Sequence, residues 1–274
     1  MGCYIYATIR PKHNRSDYGK PVTCFYEEKI TDADVAKGII VTDFHELPVK
    51  QSSELIKGTW TFDTFRPEDT MDFEKWDREG TDAPWHYGIT GNGSVGEGLY
   101  QGMQGARIRY TPRESFSNHM EAYLEVDPAK TAGQGFGSAG QYFDICIKMD
   151  TKQLNGYGLR IIRAAEFSDA VSMYLIKYEH GMAQAVSDKV ITSCFVTGCK
   201  IHIAYSKGIL SANVQTSSAQ SKEQERKGYS HNVNLATEVS ESGDGGFMVL
   251  HTGSLGTGYW QNTTMIHKVH LLYD

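Results

Sequence analysis

The chain has 274 residues, of which 40% are hydrophobic and 22% charged, with a mean hydropathy of −0.43 and a net charge of −6. A globular protein of this size can bury a sizeable core, and the lack of a basic cluster argues against nucleic acid or an anionic membrane as partner. No run approaches the ~18 consecutive apolar residues of a membrane helix, so we expect no membrane span.

The first 50 residues predict a short β-rich appendage or linker. Strand-forming runs at 4–10, 22–30 and 39–44 are separated by Pro-, Gly- and Asp-rich segments. Leu47 precedes Pro48, which favours a break in regular structure there. We therefore expect an appendage over 1–50 and one domain over 51–274. The N-terminus is typical of a strand and not of a signal peptide, so we expect a piece of a longer exported chain (periplasmic, cell-surface or secreted).

From about residue 55 onward the sequence alternates apolar and polar side chains. In residues 119–127 one face is apolar and the other carries His119, Glu121, Tyr123, Glu125 and Asp127. Similar runs follow at 142–149, 158–163, 171–179, 200–205, 209–215, 247–251 and 265–273. Such runs, broken by Gly-, Ser- and Asn-rich turns, predict an antiparallel sandwich or barrel.

Helical signals are weak. Residues 66–79 have a proline near a first turn and predict at most a short helix. Residues 218–227 are almost wholly polar and predict a solvated loop between strands.

Motifs for common chemistries are incomplete. The Gly135–Gly140 stretch matches G-x-G-x-x-G, but a strand follows it where a nucleotide site needs a helix. We expect no cofactor. A structural Ca²⁺ stays open because residues 241–245 offer oxygen ligands, and the metal site is otherwise unknown. Cys194 and Cys199 could close a small disulfide loop, although two free thiols are the favoured interpretation.

Paired carboxylates are the one catalytic alternative. Glu125 and Asp127 lie two apart on one strand face, roughly 7 Å from each other. A glycosidase needs two carboxyl groups about 5–10 Å apart. Acids that alternate along an exposed strand are usually only solvated, so this pair is an alternative and not the main hypothesis.

The order of strands and turns resembles the concanavalin A-like lectin and glucanase jelly rolls. The segments that carry this resemblance are 60–62, 85–89, 98–99, 105–112, 156–161, 199–203, 246–254 and 265–273. The resemblance implies an all-β, two-sheet antiparallel jelly-roll sandwich, and a class that includes lectins, carbohydrate-binding modules, glucanases and lyases. A glucanase E-x-D-x-x-E motif would continue from Glu125 and Asp127 to an acid at 130, but Lys130 stands there.

The favoured hypothesis is a non-catalytic carbohydrate-binding or accessory module of a larger polysaccharide-processing protein. Its expected partners are an oligo- or polysaccharide and other domains of a longer chain. The alternatives are a glycoside hydrolase or polysaccharide lyase with a non-standard carboxylate site, and a structural sandwich that docks to a neighbouring domain. Stacking and polar contacts are expected from seven residues: Trp260, Tyr123, Glu121, Asp144, Arg160, His251 and Trp85.

Overall fold

The computed structural model describes residues 6–9, 22–25, 38–43, 50–51, 58–65, 84–88, 98–113, 119–128, 139–163, 170–240, 243–253 and 264–273. For residues 6–51 and 86–88 it describes the backbone alone. Within these ranges nearly all regular structure is β-strand, as the alternating sequence predicts.

The chain divides into two compact units, Met1–Lys37 and Gly38–Asp274. In the first unit, strands β1 (Tyr6–Ile9) and β2 (Val22–Phe25) pair antiparallel. In the second, β3 (Gly38–Asp43) pairs with the last strand of the chain, and β4 (Lys50–Gln51) pairs with β3. The boundary predicted near residue 50 therefore differs from the observed one, because the backbone of 38–51 completes a sheet of the main domain.

Eight of the described strands form one antiparallel sheet. They are β5 (Gly58–Thr64), β8 (Ala106–Pro112), β10 (Tyr142–Asp150), β11 (Asn155–Ile162), β12 (Val171–Glu179), β13 (Met182–Ala185), β14 (Val190–Thr192) and β18 (Gly246–His251). The order is β13-β12-β11-β10-β18-β8-β5, and β14 also pairs with β12.

Nine described strands form the second sheet. Besides β3 and β4 they are β6 (Trp85–Gly88), β7 (Gly98–Gln101), β9 (His119–Asp127), β15 (Cys199–Ser206), β16 (Ile209–Gln215), β17 (Val233–Glu238) and β19 (Met265–Tyr273). The order is β17-β16-β15-β9-β19-β3-β4, with β7 pairing with β19 and β6.

A continuous hydrophobic core lies between the two sheets. It takes alternate residues from strands of both sheets, such as Leu124 of β9 and Ile145 of β10, both almost fully buried. Tyr157 of β11 and Tyr205 of β15 stack across it with ring centroids 6.1 Å apart and an interplanar angle of 2°. Because each sheet buries one face against the other, the predicted all-β, two-sheet antiparallel sandwich is confirmed.

One predicted loop contains a helix. Within 218–227 the structure has α1 (Lys222–Arg226), so the interpretation of that segment as loop alone was wrong. Ser221 caps it: its hydroxyl accepts from the backbone N–H of Gln224, whose side chain accepts from the N–H of Ser221. This capping box stabilises a turn that hydrophobic periodicity cannot reveal, since no residue of α1 is buried. The predicted short helix over 66–79 lies outside the described residues.

In the described part of the chain, no helix is long and apolar enough to cross a membrane.

Candidate functional site

The outer face of the nine-stranded sheet carries polar and aromatic side chains in register. One row crosses five strands, from β19 to β17, through His270, Tyr123, His202, Asn213 and Asn234. Each of these residues is at least partly exposed, whereas their strand neighbours on the other face are buried, except for the partly buried Leu235 of β17. The alternation that builds the core thus also assembles this face from four separate parts of the chain.

A second row lies beside the first, toward the C-terminal end of β9. It runs from Lys268 of β19 through Glu125 of β9 and Lys200 of β15 to Gln215 of β16. Opposite charges thus alternate across the strands, an arrangement that favours the pairing of neighbouring strands.

The two rows border a groove that encloses about 410 Å³. The lining residues are Tyr123, Leu124, Glu125, Lys200, Ile201, His202, Asn213, Gln215, Lys268 and His270. Hydrogen-bond donors and acceptors therefore surround an aromatic ring, as in a site that binds a polar ligand with apolar faces.

Tyr123 and His202 form the aromatic centre of the groove. Their rings stack in parallel, with centroids 4.0 Å apart and an interplanar angle of 5°. Tyr123 nevertheless keeps 41% of its surface exposed. The partner ring restricts the orientation of the Tyr123 side chain, so a ligand that packs on the exposed part meets a pre-ordered surface.

Glu121, two residues before Tyr123 on the same face of β9, holds this pair in place by hydrogen bonds. Its carboxylate accepts hydrogen bonds from Tyr123 Oη at 2.7 Å, and it bonds His202 Nε2 at 2.8 Å and His119 Nε2 at 2.7 Å. The hydrogen bonds from His202, Tyr123 and His119 outweigh partial burial and lower the pKa of Glu121 to about 2. Partial burial and the bond to Glu121 raise the pKa of Tyr123 to about 12.

The ionised Glu121 should stabilise the folded protein in a pH-dependent way. Its folded pKa of about 2 lies below the ordinary value of 4.5, so the stabilisation is present above pH 4.5 and disappears as the pH falls toward 2. We expect wild type to be more thermostable than Glu121→Gln at neutral pH, and this advantage to vanish near pH 2. Thermal unfolding followed by circular dichroism across this range measures it. A difference in thermal stability between wild type and Glu121→Gln that is the same near pH 2 as at neutral pH would contradict the lowered pKa of Glu121. In a His202→Gln background the advantage should shrink, because His202 contributes the largest part.

The structure separates the seven predicted sugar-binding residues. Glu121 and Tyr123 lie together on the face just described. Asp144, Arg160 and His251 lie on the eight-stranded sheet, where their exposed fractions are 0%, 6% and 0%. The hypothesis required these five polar residues to share one face. They do not, because β9 belongs to one sheet and β10, β11 and β18 belong to the other.

Asp144 and Arg160 form a closed ion pair and not an open binding surface. Arg160 donates from Nε and Nη2 to the two carboxylate oxygens, each at 2.9 Å, and Tyr178 Oη donates to Asp144 Oδ2 at 2.6 Å. The guanidinium lies 3.6 Å from the ring centroid of Tyr142. Burial acts to lower the pKa of Arg160, but the charge and hydrogen bonds of Asp144 outweigh it and raise the pKa.

Of the two predicted tryptophans, Trp85 is only 7% exposed and packs in the core. It is therefore unsuited to stack on a ligand. Trp260 lies outside the described residues, and its role stays a prediction.

The two carboxylates of the alternative catalytic pair differ in exposure. Glu125 is exposed in the groove, whereas Asp127 is 1% exposed and accepts a hydrogen bond from Thr197 Oγ1 at 2.8 Å. Cys194 and Cys199 are both buried free thiols. No group of three or more His, Cys, Asp or Glu side chains within the described ranges is arranged to hold a metal ion.

Sequence reasoning missed most of the groove, since only Tyr123 and Glu125 among its lining residues were candidates. The polar lining residues that were not among its candidates are Lys200, His202, Asn213, Gln215, Lys268 and His270. Their alternation within β15, β16 and β19 was visible in the sequence and could have flagged them as outward-facing. Their position beside Tyr123 was not, because it depends on which strands pair and in which register.

No protein-family model matches the chain, and no curated protein matches it in sequence. Solved structures with a similar fold include a Bacillus licheniformis β-glucanase, with 9% identity, a TM-score of 0.46, and coverage of 86% of this chain and 98% of that one. A carbohydrate-binding module of a Lactobacillus casei phage J-1 evolved Dit protein has 12% identity, a TM-score of 0.47, and coverage of 87% and 97%. The Bacillus subtilis module CBM66 has 13% identity, a TM-score of 0.38, and coverage of 78% and 92%.

These are among the classes of protein that the sequence resemblance names. All three TM-scores lie below 0.5, so what those proteins bind or cleave is not carried over to this chain. The fold and the groove define it as an all-β, two-sheet antiparallel sandwich with a polar, aromatic-centred outer face.

Proposed function

We propose that this chain is a non-catalytic carbohydrate-binding module, an accessory part of a larger exported polysaccharide-processing protein. One observation carries the proposal: the partly exposed Tyr123 ring, stacked on His202, stands in a groove lined mainly by residues with polar side chains.

The chemistry of a sugar suits this groove. A pyranose ring presents C–H groups on its faces and hydroxyls around its rim. The faces pack on an aromatic side chain, and the hydroxyls need hydrogen-bonding partners of both kinds. The amides of Asn213 and Gln215 both donate and accept, Lys200 donates, and Glu125 accepts.

Catalysis is the weaker proposal for the same face. A glycosidase needs a carboxylic acid with a raised pKa to protonate the leaving group. The pKa of Glu121 is shifted in the opposite direction, to about 2, and Asp127 is buried and accepts a hydrogen bond from Thr197. Tyr123, with a pKa of about 12, is a poor base near neutral pH.

Native electrophoresis through gels cast with plant, algal and host polysaccharides tests the proposal first. Retardation by one of them identifies the ligand class, and a reducing-end assay on the same polysaccharide tests for turnover. Free migration through every gel would contradict a carbohydrate-binding role and would favour docking to a neighbouring domain.

Replacing Tyr123 with alanine should weaken binding of the retarding polysaccharide about tenfold, since a stacked aromatic contributes roughly 1–1.5 kcal/mol. Isothermal titration calorimetry measures the change. Tyr123→Phe keeps the ring and should bind within about threefold of wild type.

Phe62→Ala is the matched control. Phe62 is 41% exposed, like Tyr123, but lies on the edge strand β5 of the other sheet. It should leave the affinity unchanged. An equal loss in both alanine variants would mean that the groove is not the binding site.

A further inference from the structure

The groove continues past the second row of side chains into a smaller cavity. This second cavity encloses about 210 Å³ and shares Glu125 and Lys200 with the first. Its further lining residues are Val126, Asp127, Thr197, Gly198, Cys199 and His267. The two cavities thus adjoin and follow the direction of β9 and β15.

We propose that this second cavity is a further subsite, so that the ligand is a chain of linked sugars lying along β9 and β15 and not a single terminal sugar. The inference rests on the proposed function and names its ligand more closely. From Tyr123 to Asp127 the strand advances four residues, about 14 Å. That distance exceeds the size of one sugar ring, so a ligand that reaches both ends has more than one.

The far end of the groove is built by a fixed turn. Val126 of β9 pairs with Cys199 of β15, which brings Gly198 to the end of the ladder near Asp127. The Thr197 hydroxyl donates to the buried Asp127 carboxylate at 2.8 Å and ties the turn to β9. On the other side of β9, the pairing with β19 shifts register between Ile266 and Lys268. Such a bulge re-aims side chains and interrupts a flat sheet surface.

Gly198 supplies open space at this end. Its φ is +78°, in the left-handed region, and no heavy atom lies within 4 Å of the position that a Cβ would occupy. A side chain added there would extend into open space beside the second cavity. Of the larger residues, histidine is among those that tolerate this backbone conformation best.

The test uses oligosaccharides two to six residues long, prepared by partial hydrolysis of the polysaccharide that retards the protein in gels. Calorimetry at pH 8 gives the affinity for each length. For wild type we expect the affinity to rise about tenfold from the disaccharide to the tetrasaccharide, as the second subsite fills. Gly198→His should reduce this rise to about twofold while leaving the disaccharide affinity unchanged.

Gly228→His is the matched control. Gly228 also has a left-handed φ, +71°, and open space at its Cβ position, but it follows α1 and does not line the groove. It should keep the full rise with length. Wild-type affinity that does not depend on length, or a Gly198→His protein with the full rise, would overturn the second subsite without touching the proposed function. An affinity about tenfold weaker in Tyr123→Ala, together with a wild-type affinity that rises with chain length, supports both.

Discussion

Replacing Arg160 with methionine is expected to lower the free energy of unfolding by about 3–5 kcal/mol. The substitution leaves the Asp144 carboxylate, which is fully buried, without its bidentate partner. Tyr178 still donates one hydrogen bond to it, but one neutral donor does not replace a charge. Urea denaturation followed by tryptophan fluorescence gives the free energy of unfolding.

The double variant Asp144→Leu with Arg160→Met separates the pair from its parts. It removes both charges at similar total volume, although the buried Tyr178 hydroxyl loses its acceptor, so it should recover part of the stability lost in Arg160→Met. The double variant could instead be less stable than Arg160→Met, by as much as Asp144→Leu costs on its own. In that case the two residues contribute independently, and loss of the ion pair does not explain the lower stability of Arg160→Met. Neither variant should change binding in the groove at a temperature where it is folded, because this pair lies on the other sheet.

Truncating Tyr157 to alanine is the second large expected effect, again about 3–5 kcal/mol of lost stability. Tyr157 is fully buried and stacks on Tyr205 across the interface of the two sheets. The alanine leaves a cavity between β11 and β15 that the surrounding strands, fixed by their ladders, cannot fully close. The same denaturation measurement applies.

Tyr157→Phe is the control for this variant. It keeps the ring and removes the contacts of the hydroxyl with Ser240, namely the hydrogen bond donated to the backbone carbonyl and the one shared with the Ser240 hydroxyl. The expected cost is about 1 kcal/mol. Similar losses in the two variants would show that the hydroxyl, and not the packing of the ring, is what joins the sheets here.

The groove depends on this core even though it lies on the outer surface. Tyr123 and His202 occupy the outer positions of β9 and β15, whose inner positions include the buried Leu124 and Ile203. Packing on the inside fixes the pleat of both strands, and the pleat sets where the outer side chains point. A destabilised core should therefore weaken binding only when the protein begins to unfold.

The sequence alone determined the class of fold. Alternation with a period of two is a local property of a strand, since successive side chains point to opposite faces. The run from His119 to Asp127 shows it in nine residues, and its apolar half is the half that the sandwich buries. The alternation also correctly placed Glu121, Tyr123 and Glu125 on one outward face.

Only the tertiary structure decided which polar faces are open. The same pattern in β10 put Asp144 on the outward side of a strand, yet that residue is fully buried beside Arg160 and Tyr178. The tertiary structure also brings the ring of His202 into contact with that of Tyr123, which lies 79 residues earlier in the chain. Strand order and register are set by packing between distant segments. Local patterns therefore specify which side chains lie on each face of a strand. The pairing of the strands specifies which side chains of other strands lie beside them, and whether that face is open to solvent.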